Sequence, residues 1–216
     1  MSINKTYAVF GLGRYGLAVA KELAASGIEV IAVDHDRNIV NTAATELPVC
    51  KCADVTDPEV IKQLDISDID VVIISMASCL EASVMAITLC KEVGVPTVIV
   101  KCASEMQGKI FIRVGADKVV FPEKESGVRL AKNLLSSGFI DMISISKDVS
   151  MVELGVKDEW VGKSLIDLNL RKKYDINVVA VRNEQNVQVG IDPAKPLDKE
   201  GKLIVIANTA KLAKLK

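Results

Sequence analysis

Short apolar runs recur along the chain at residues 7–10, 30–33, 49–52, 71–75, 97–100 and 118–121, and the stretches between them carry helical spacing. Runs of this length suit strands buried on both faces, and the intervening segments are long enough to cross back over a sheet. The alternation predicts an α/β fold: a Rossmann-like, doubly wound parallel sheet with helices on both faces. Helix starts are legible. Thr56-Asp57-Pro58-Glu59 offers a capping box or a proline in the first turn, while Ser78-x-x-Glu81 and Ser104-x-x-Gln107 read as capping boxes. Gly16, Val19, Ala20 and Leu23 form the small, apolar stripe of the first helix. Segment 80–92, LEASVMAITLCKE, is apolar nearly all round, so it is expected to be covered on more than one side, by its own core or by another subunit. After the sixth run come PEKESG and a helical stretch, Val128 to Leu135, which Ser136-Ser137-Gly138 is expected to close.

From about residue 140 the pattern changes. Ile143 and Ile145 alternate with serines, Lys147-Asp148 suggests a turn, and Val152, Leu154 and Val156 alternate again. A short helical region over 164–174 precedes strands at 177–182, 187–191 and 203–207. The expectation is a small C-terminal α+β domain over 140–216 after an N-terminal domain over 1–139. The smaller part has no room for a conventional substrate-binding, catalytic half.

Composition narrows the function. Half of the 216 residues are apolar and the net charge is −1, so the chain builds a sizeable core and shows no nucleic-acid footprint. No apolar run approaches the ~20 residues of a membrane helix, and the N-terminus lacks a signal-peptide pattern, so a soluble cytosolic protein is expected. Lys211, Lys214 and Lys216 read as a solvated tail. The five cysteines include no CxxC pair, and buried reduced thiols are the expectation. Cys50 and Cys52 share one strand face, but two sulfurs alone make no zinc site.

The chemistry concentrates in one stretch. Tyr7–Phe10 runs into Gly11-Leu12-Gly13-Arg14-Tyr15-Gly16, a helix follows, and the next strand ends in Asp34. This is the dinucleotide-binding arrangement. Gly11 permits the tight turn, Gly13 lets backbone approach a pyrophosphate, and Gly16 allows close helix–strand contact. The helix N-terminus presents free N–H groups to phosphate. Asp34 is placed to accept from ribose hydroxyls and would repel a 2′-phosphate, which argues against NADP. Arg14 stands at the helix N-terminus, where it either reaches the phosphates of an adenosine di- or triphosphate or points to solvent. Asp54-Val55-Thr56 follows the third strand at the edge where adenine is usually held, and Lys101 ends the fifth strand at the same edge. Each reads equally as a turn or snorkelling residue. Glu123 is a helix N-terminal acid or a metal ligand.

Catalysis lacks a visible agent. The only histidine, His35, lies beside Asp34 at the ribose end of the cleft and reads as an exposed strand-end residue. No GxSxG, HExxH or GxxxxGK[ST] occurs. A binding protein rather than an enzyme is expected; the alternative is an NAD(H)-dependent oxidoreductase or an NAD(H)-sensing regulator. A redox-sensing transcription factor lacks its basic helix-turn-helix.

GLGRYG, Asp34, ADVTD (53–57), VIVKC (98–102) and GADKVVFPEKESG (115–127), with the two-part layout, resemble the RCK family, which regulates potassium conductance. More narrowly, the chain resembles the regulatory subunits of Ktr/Trk-type potassium uptake systems. The resemblance implies an octameric ring of dimers at the cytoplasmic face of the membrane, bound to a potassium-translocating subunit. It implies ATP and ADP as ligands, with NAD(H) in some Trk-type relatives. By position, Arg14 would meet terminal phosphates, Asp34 the ribose, Asp54 and Thr56 the adenine, and Lys101 the phosphate side. Glu123 would help bind a divalent cation such as Mg at a subunit interface. The segment 165–182, LIDLNLRKKYDINVVAVR, also resembles domains that bind cyclic di-AMP between two copies. Leu165, Ile166 and Leu168 would then supply apolar surface, Arg171 would meet phosphate and Asn177 a base edge, with Pro193 in a loosely matching proline segment. The family's histidine is missing from this part of the chain.

Overall fold

The computed structural model describes residues 5–135, 139–183 and 186–212. They fall into two compact units that divide between Glu123 and Lys124. In the first unit the order is β1 (Tyr7–Phe10), α1 (Arg14–Ala25), β2 (Val30–Asp34), α2 (Arg37–Ala43), β3 (Cys50–Cys52) and α3 (Pro58–Gln63). It continues with β4 (Val71–Ile74), α4 (Leu80–Glu92), β5 (Thr97–Lys101), α5 (Glu105–Val114), β6 (Lys118–Val120) and α6 (Pro122–Leu135), which runs on into the second unit. The strands form one parallel sheet in the order β3-β2-β1-β4-β5-β6, with Phe10 opposite Val33 on one side and Ile74 on the other.

Period-two alternation splits each central strand between two cores. Ala8, Phe10, Val72 and Ile74 pack with Ile87 of α4 and Phe111 of α5. Val9, Val71 and Ile73 pack with Ala20 of α1 and Ala43 of α2 on the opposite face. All four residues of β4 are buried, as expected for a strand covered on both sides. The chain leaves β1 toward β2 and returns through β4, so strand order reverses between them and opens a crevice at the carboxyl ends.

Of the three helix starts read from the sequence, one follows the expectation and two differ from it. At α3 the proline option holds: Pro58 occupies the first turn, and Asp57 caps by accepting the Glu59 N–H. At α5, Ser104 accepts the Gln107 N–H, but the Gln107 carbonyl returns to the Ala103 N–H, one residue upstream of a true box. At α4, Cys79 holds the cap position and no side chain caps it, so the Ser78–Glu81 box does not form. PEKESG is helix as well, because α6 begins at Pro122 and passes through Gly127. Residues 136–138, expected to end that helix, lie outside the described residues, as do Lys214 and Lys216. In α4 the chain's own core buries Ser83, Ala86, Ile87 and Cys90 but leaves Leu80 and Met85 exposed. Cysteine burial also departs from expectation. Cys90 and Cys102 are buried, yet Cys52 ends the sheet-edge strand β3 and Cys79 sits in a turn, and both are exposed.

The second unit contains β7 (Phe139–Ser144), β8 (Val149–Gly155), α7 (Leu165–Leu168), α8 (Leu170–Tyr174), β9 (Ile176–Asn183), β10 (Asn186–Gln188), β11 (Lys202–Asn208) and α9 (Thr209–Leu212). Its sheet is antiparallel in the order β10-β9-β11-β8-β7. Val152 and Leu154 of β8, Leu203 and Val205 of β11 and Ile176 of β9 turn to a core that includes Trp160. Ser164 and Asp167 make a reciprocal capping box on α7. β10 stops at Gln188, short of the expected 191.

Candidate functional site

The glycine turn is built by close approach. Gly11 has φ +87, and its N–H donates to Val33 O at 2.8 Å. A Cβ on Gly11 would lie 2.9 Å from Met76 Cγ and 3.1 Å from the Ser75 carbonyl. A Cβ on Gly16 would lie 1.9 Å from Gly11 O, so α1 sits directly on the turn only because neither residue carries a side chain. Gly13 differs. Nothing stands within 4 Å of its Cβ position, so protein packing does not require glycine there. The space is open at the N-terminus of α1, where N–H groups lack intrahelical partners.

Asp34 locks this turn in place. Its side chain is buried, Oδ2 accepts the Leu12 N–H at 2.7 Å, and Oδ1 accepts the Asp36 N–H at 2.9 Å. A carboxylate oxygen accepts more than one bond, so this work leaves lone pairs for a ligand hydroxyl. His35 Nδ1 lies 3.3 Å from Asp34 Oδ1, while the imidazole is 81% exposed, as expected for a strand-end residue. Across the cleft, Asp54 Oδ1 accepts both the Thr56 N–H (2.9 Å) and the Thr56 hydroxyl (2.7 Å). These bonds, the backbone one first, hold the Asp54 carboxyl below its usual range, with a smaller contribution from His35.

Gly11, Gly13, Asp34, His35, Asp54 and Val55 all line one open cleft at the strand-order reversal. Ser75, Met76, Ser78 and Cys79 line it too, from the loop after β4. Sequence reasoning missed them. The fully buried β4 gave a signal that was available: the loop after the strand flanking the reversal must face the crevice.

Arg14, Tyr15, Gly16, Thr56, Lys101 and Glu123 do not line the cleft. Gly16 acts from beneath, through α1. Arg14 is exposed at the first position of α1. Lys101, at the end of β5, pairs with Glu123 at 2.6 Å, and its ammonium stands 5.7 Å from the Tyr15 ring centroid. The Glu123 carboxyl is held below its usual range, first by the Lys101 hydrogen bond, then by its own backbone N–H, with charge from Lys101 and Arg14 adding. Among the described residues no three His, Cys, Asp or Glu side chains come together to hold a metal, so Glu123 offers a cation one carboxylate.

In the second unit the candidate residues are dispersed. Leu165 lines a small, open pocket with Val181, Ile191, Lys195 and Pro196. The Ile166 N–H donates to Pro193 O at 3.2 Å, which brings those backbones together, and the Ile166 side chain is exposed. Leu168 is buried in the second core and offers no free surface. Arg171 and Asn177 are exposed on α8 and β9.

A glycine turn under a helix N-terminus, an acid closing the second strand and a crevice at the reversal define a Rossmann-type module, followed here by a small α+β unit. The chain matches the TrkA-N domain over residues 7–122 and the TrkA-C domain over residues 149–216. It is 33% identical over 212 residues to Ktr system potassium uptake protein C of Bacillus subtilis, covering 98% of this chain and 96% of that protein. It is 34% identical over 210 residues to Ktr system potassium uptake protein A of Vibrio alginolyticus, covering 97% and 96%. Among solved structures, the GsuK channel bound to NAD superposes with a TM-score of 0.64 at 14% identity, over 99% of this chain; the chain spans 39% of that channel's length. The TrkA-N domain of the Escherichia coli inner membrane protein ybaL gives 0.53 at 16% identity, over 63% of this chain and 98% of that one. The chain belongs to the RCK-type regulatory subunits of Ktr/Trk potassium uptake systems.

Proposed function

We propose that this protein is a cytoplasmic, non-catalytic switch that binds ATP and ADP in the cleft of its first unit and gates a membrane potassium-translocating subunit from within an octameric ring. The open space above Gly13, at the N-terminus of α1 and beside buried Asp34, carries the reading. Diphosphate fits over the turn, ribose hydroxyls reach Asp34, and adenine lies toward Asp54, Val55 and Thr56. A ligand moves a two-state assembly only by its differential affinity for the two states. The γ-phosphate supplies such a difference through Arg14 and Lys101. A divalent cation such as Mg would be held by Glu123 together with ligand phosphates or a neighbouring copy, since one carboxylate is too few alone. The exposed Leu80 and Met85 of α4 and Val128, Leu130 and Leu134 of α6 are the apolar surface offered to neighbouring copies.

Isothermal titration of the full chain with ATP, ADP and NADH, with solution mass measured in each state, tests this reading. Binding of ATP and ADP by a ring, with Arg14→Ala narrowing the difference between them, is expected. NADH preference with turnover of a small substrate would instead establish the oxidoreductase alternative. Cyclic di-AMP is proposed as a second ligand between two C-terminal units, on Leu165, Ile166, Arg171 and Asn177. Asn177→Ala should then weaken its binding and leave ATP binding unchanged.

A further inference from the structure

A basic group beside the glycine turn, Lys101, already holds an anion, and it belongs to the chain. Lys101 is 18% exposed, whereas its partner Glu123 is 70% exposed. The asymmetry matters. A lysine side chain that is mostly covered has less water to turn to, so its ammonium depends more on a counter-charge than an open one does. An exposed carboxylate on a helix end can leave and be rehydrated cheaply. The ammonium also faces the ring of Tyr15, two residues beyond Gly13, so it stands beside the turn at the N-terminus of α1. Arg14, at that same N-terminus, adds its positive field at Glu123.

We infer that Glu123 is an internal stand-in for a ligand phosphate: its carboxylate neutralises Lys101 in the nucleotide-free protein and yields that place to an arriving phosphate group. The inference rests on the nucleotide-binding reading above. The exchange keeps one anion on Lys101 throughout and releases another from it. The released residue is the second of α6, and the two compact units divide immediately after it. Ligand phosphate thereby acts on the first turn of the helix that leads into the second unit. Glu123 also lowers apparent affinity as a competitor, and it does so most for nucleotides whose phosphate chain is long enough to reach Lys101.

The test is isothermal titration of the full chain with ATP, ADP and AMP in EDTA, so that no cation role of Glu123 contributes. Glu123→Gln removes the competitor, and Glu125→Gln, at an exposed acid of the same helix, makes the same change in net charge. Glu123→Gln should bind ATP about fivefold tighter than the parent, the upper end of what an ion pair of this exposure is worth. The gain should shrink through ADP to AMP, and Glu125→Gln should stay within about twofold. Should Glu123→Gln fold poorly, Glu123→Asp withdraws the carboxylate from Lys101 and should show part of the gain. ATP binding by the parent with no gain in either Glu123 variant, or an equal gain in Glu125→Gln, overturns the stand-in alone. Absence of binding to every protein overturns the nucleotide reading and the stand-in with it.

Discussion

Gly16 and Gly13 look alike in the motif but should fail in opposite ways. An alanine methyl at Gly16 would stand 1.9 Å from Gly11 O, whereas real Cβ contacts almost never fall below 3.0 Å. The turn must therefore retreat by about 1 Å, and its tethers resist: Gly11 N–H to Val33 O at 2.8 Å and Leu12 N–H to Asp34 Oδ2 at 2.7 Å. Loss of the second, a bond to a charged group, costs roughly 1.5–3 kcal/mol, and overpacking adds about 1–3 kcal/mol. Alanine returns about 1 kcal/mol of helix propensity. Gly16→Ala should thus destabilise the first unit by roughly 2 kcal/mol or more. At Gly13, φ is −62 and no atom stands within 4 Å of the added methyl, so Gly13→Ala should cost only the difference between glycine and alanine as a helix cap, roughly 1 kcal/mol or less. It should still weaken nucleotide binding more than about tenfold, because the methyl occupies the space that a diphosphate needs. The only tryptophan, Trp160, lies in the second unit, so its fluorescence reports the wrong half. Urea unfolding should be followed by amide exchange at Val9 and Phe10, with nucleotide titrations on the same samples. Gly16→Ala as stable as the parent refutes the packing argument, and Gly13→Ala binding ATP normally refutes the position assigned to phosphate.

Asp117 accepts the Val98 N–H at 2.7 Å and Lys91 Nζ at 2.9 Å. Burial raises its carboxyl, but the Val98 N–H and then Lys91 outweigh that, so its folded value lies below the unfolded one. Its contribution is therefore full above the unfolded value of about 3.9 and fades as pH falls through the folded one. Asp117→Asn should lose about 1 kcal/mol at pH 7, and its gap from the parent should narrow as pH falls below the unfolded value in circular-dichroism melts. Ile87→Ala, which empties a fully buried position under β4, should cost about 2–4 kcal/mol in urea titrations. Under native conditions a disulfide reagent should modify exposed Cys52 and Cys79 first. Cys90, whose thiol burial pushes up to about 12, and buried Cys102 should react only on unfolding, and early loss of all five thiols would contradict the core.

Much of this molecule was legible in one dimension. The apolar runs located all six parallel strands; the signal is strongest at β4, which is apolar throughout because it is buried on both faces, and weakest at the edge strands β3 and β6, which each carry a lysine. The glycine spacing announced the cleft, since only glycine tolerates Gly11's backbone and the contact at Gly16. Caps were less readable. Ser78 stands ahead of an acid just as a capping residue would, yet the backbone turns one residue later and gives the cap position to Cys79. Local spacing does not reveal which of two adjacent residues leaves the helix, because the choice depends on where the preceding strand ends.

Two matters were left to tertiary structure. One is the company each motif residue keeps. Asp34 was readable as a ribose acid, but its hold on the Leu12 N–H depends on a turn that comes near only when β1 and β2 lie side by side. The other is the pairing of Lys101 with Glu123 beside Tyr15, which joins the end of β5 and the start of α6 to the start of α1. Hydrophobic period and glycine placement are properties of neighbouring residues, and the order of residues alone specified them. Which charges meet is set by strand order, and only the folded sheet, with β1 and β5 flanking β4, decided it.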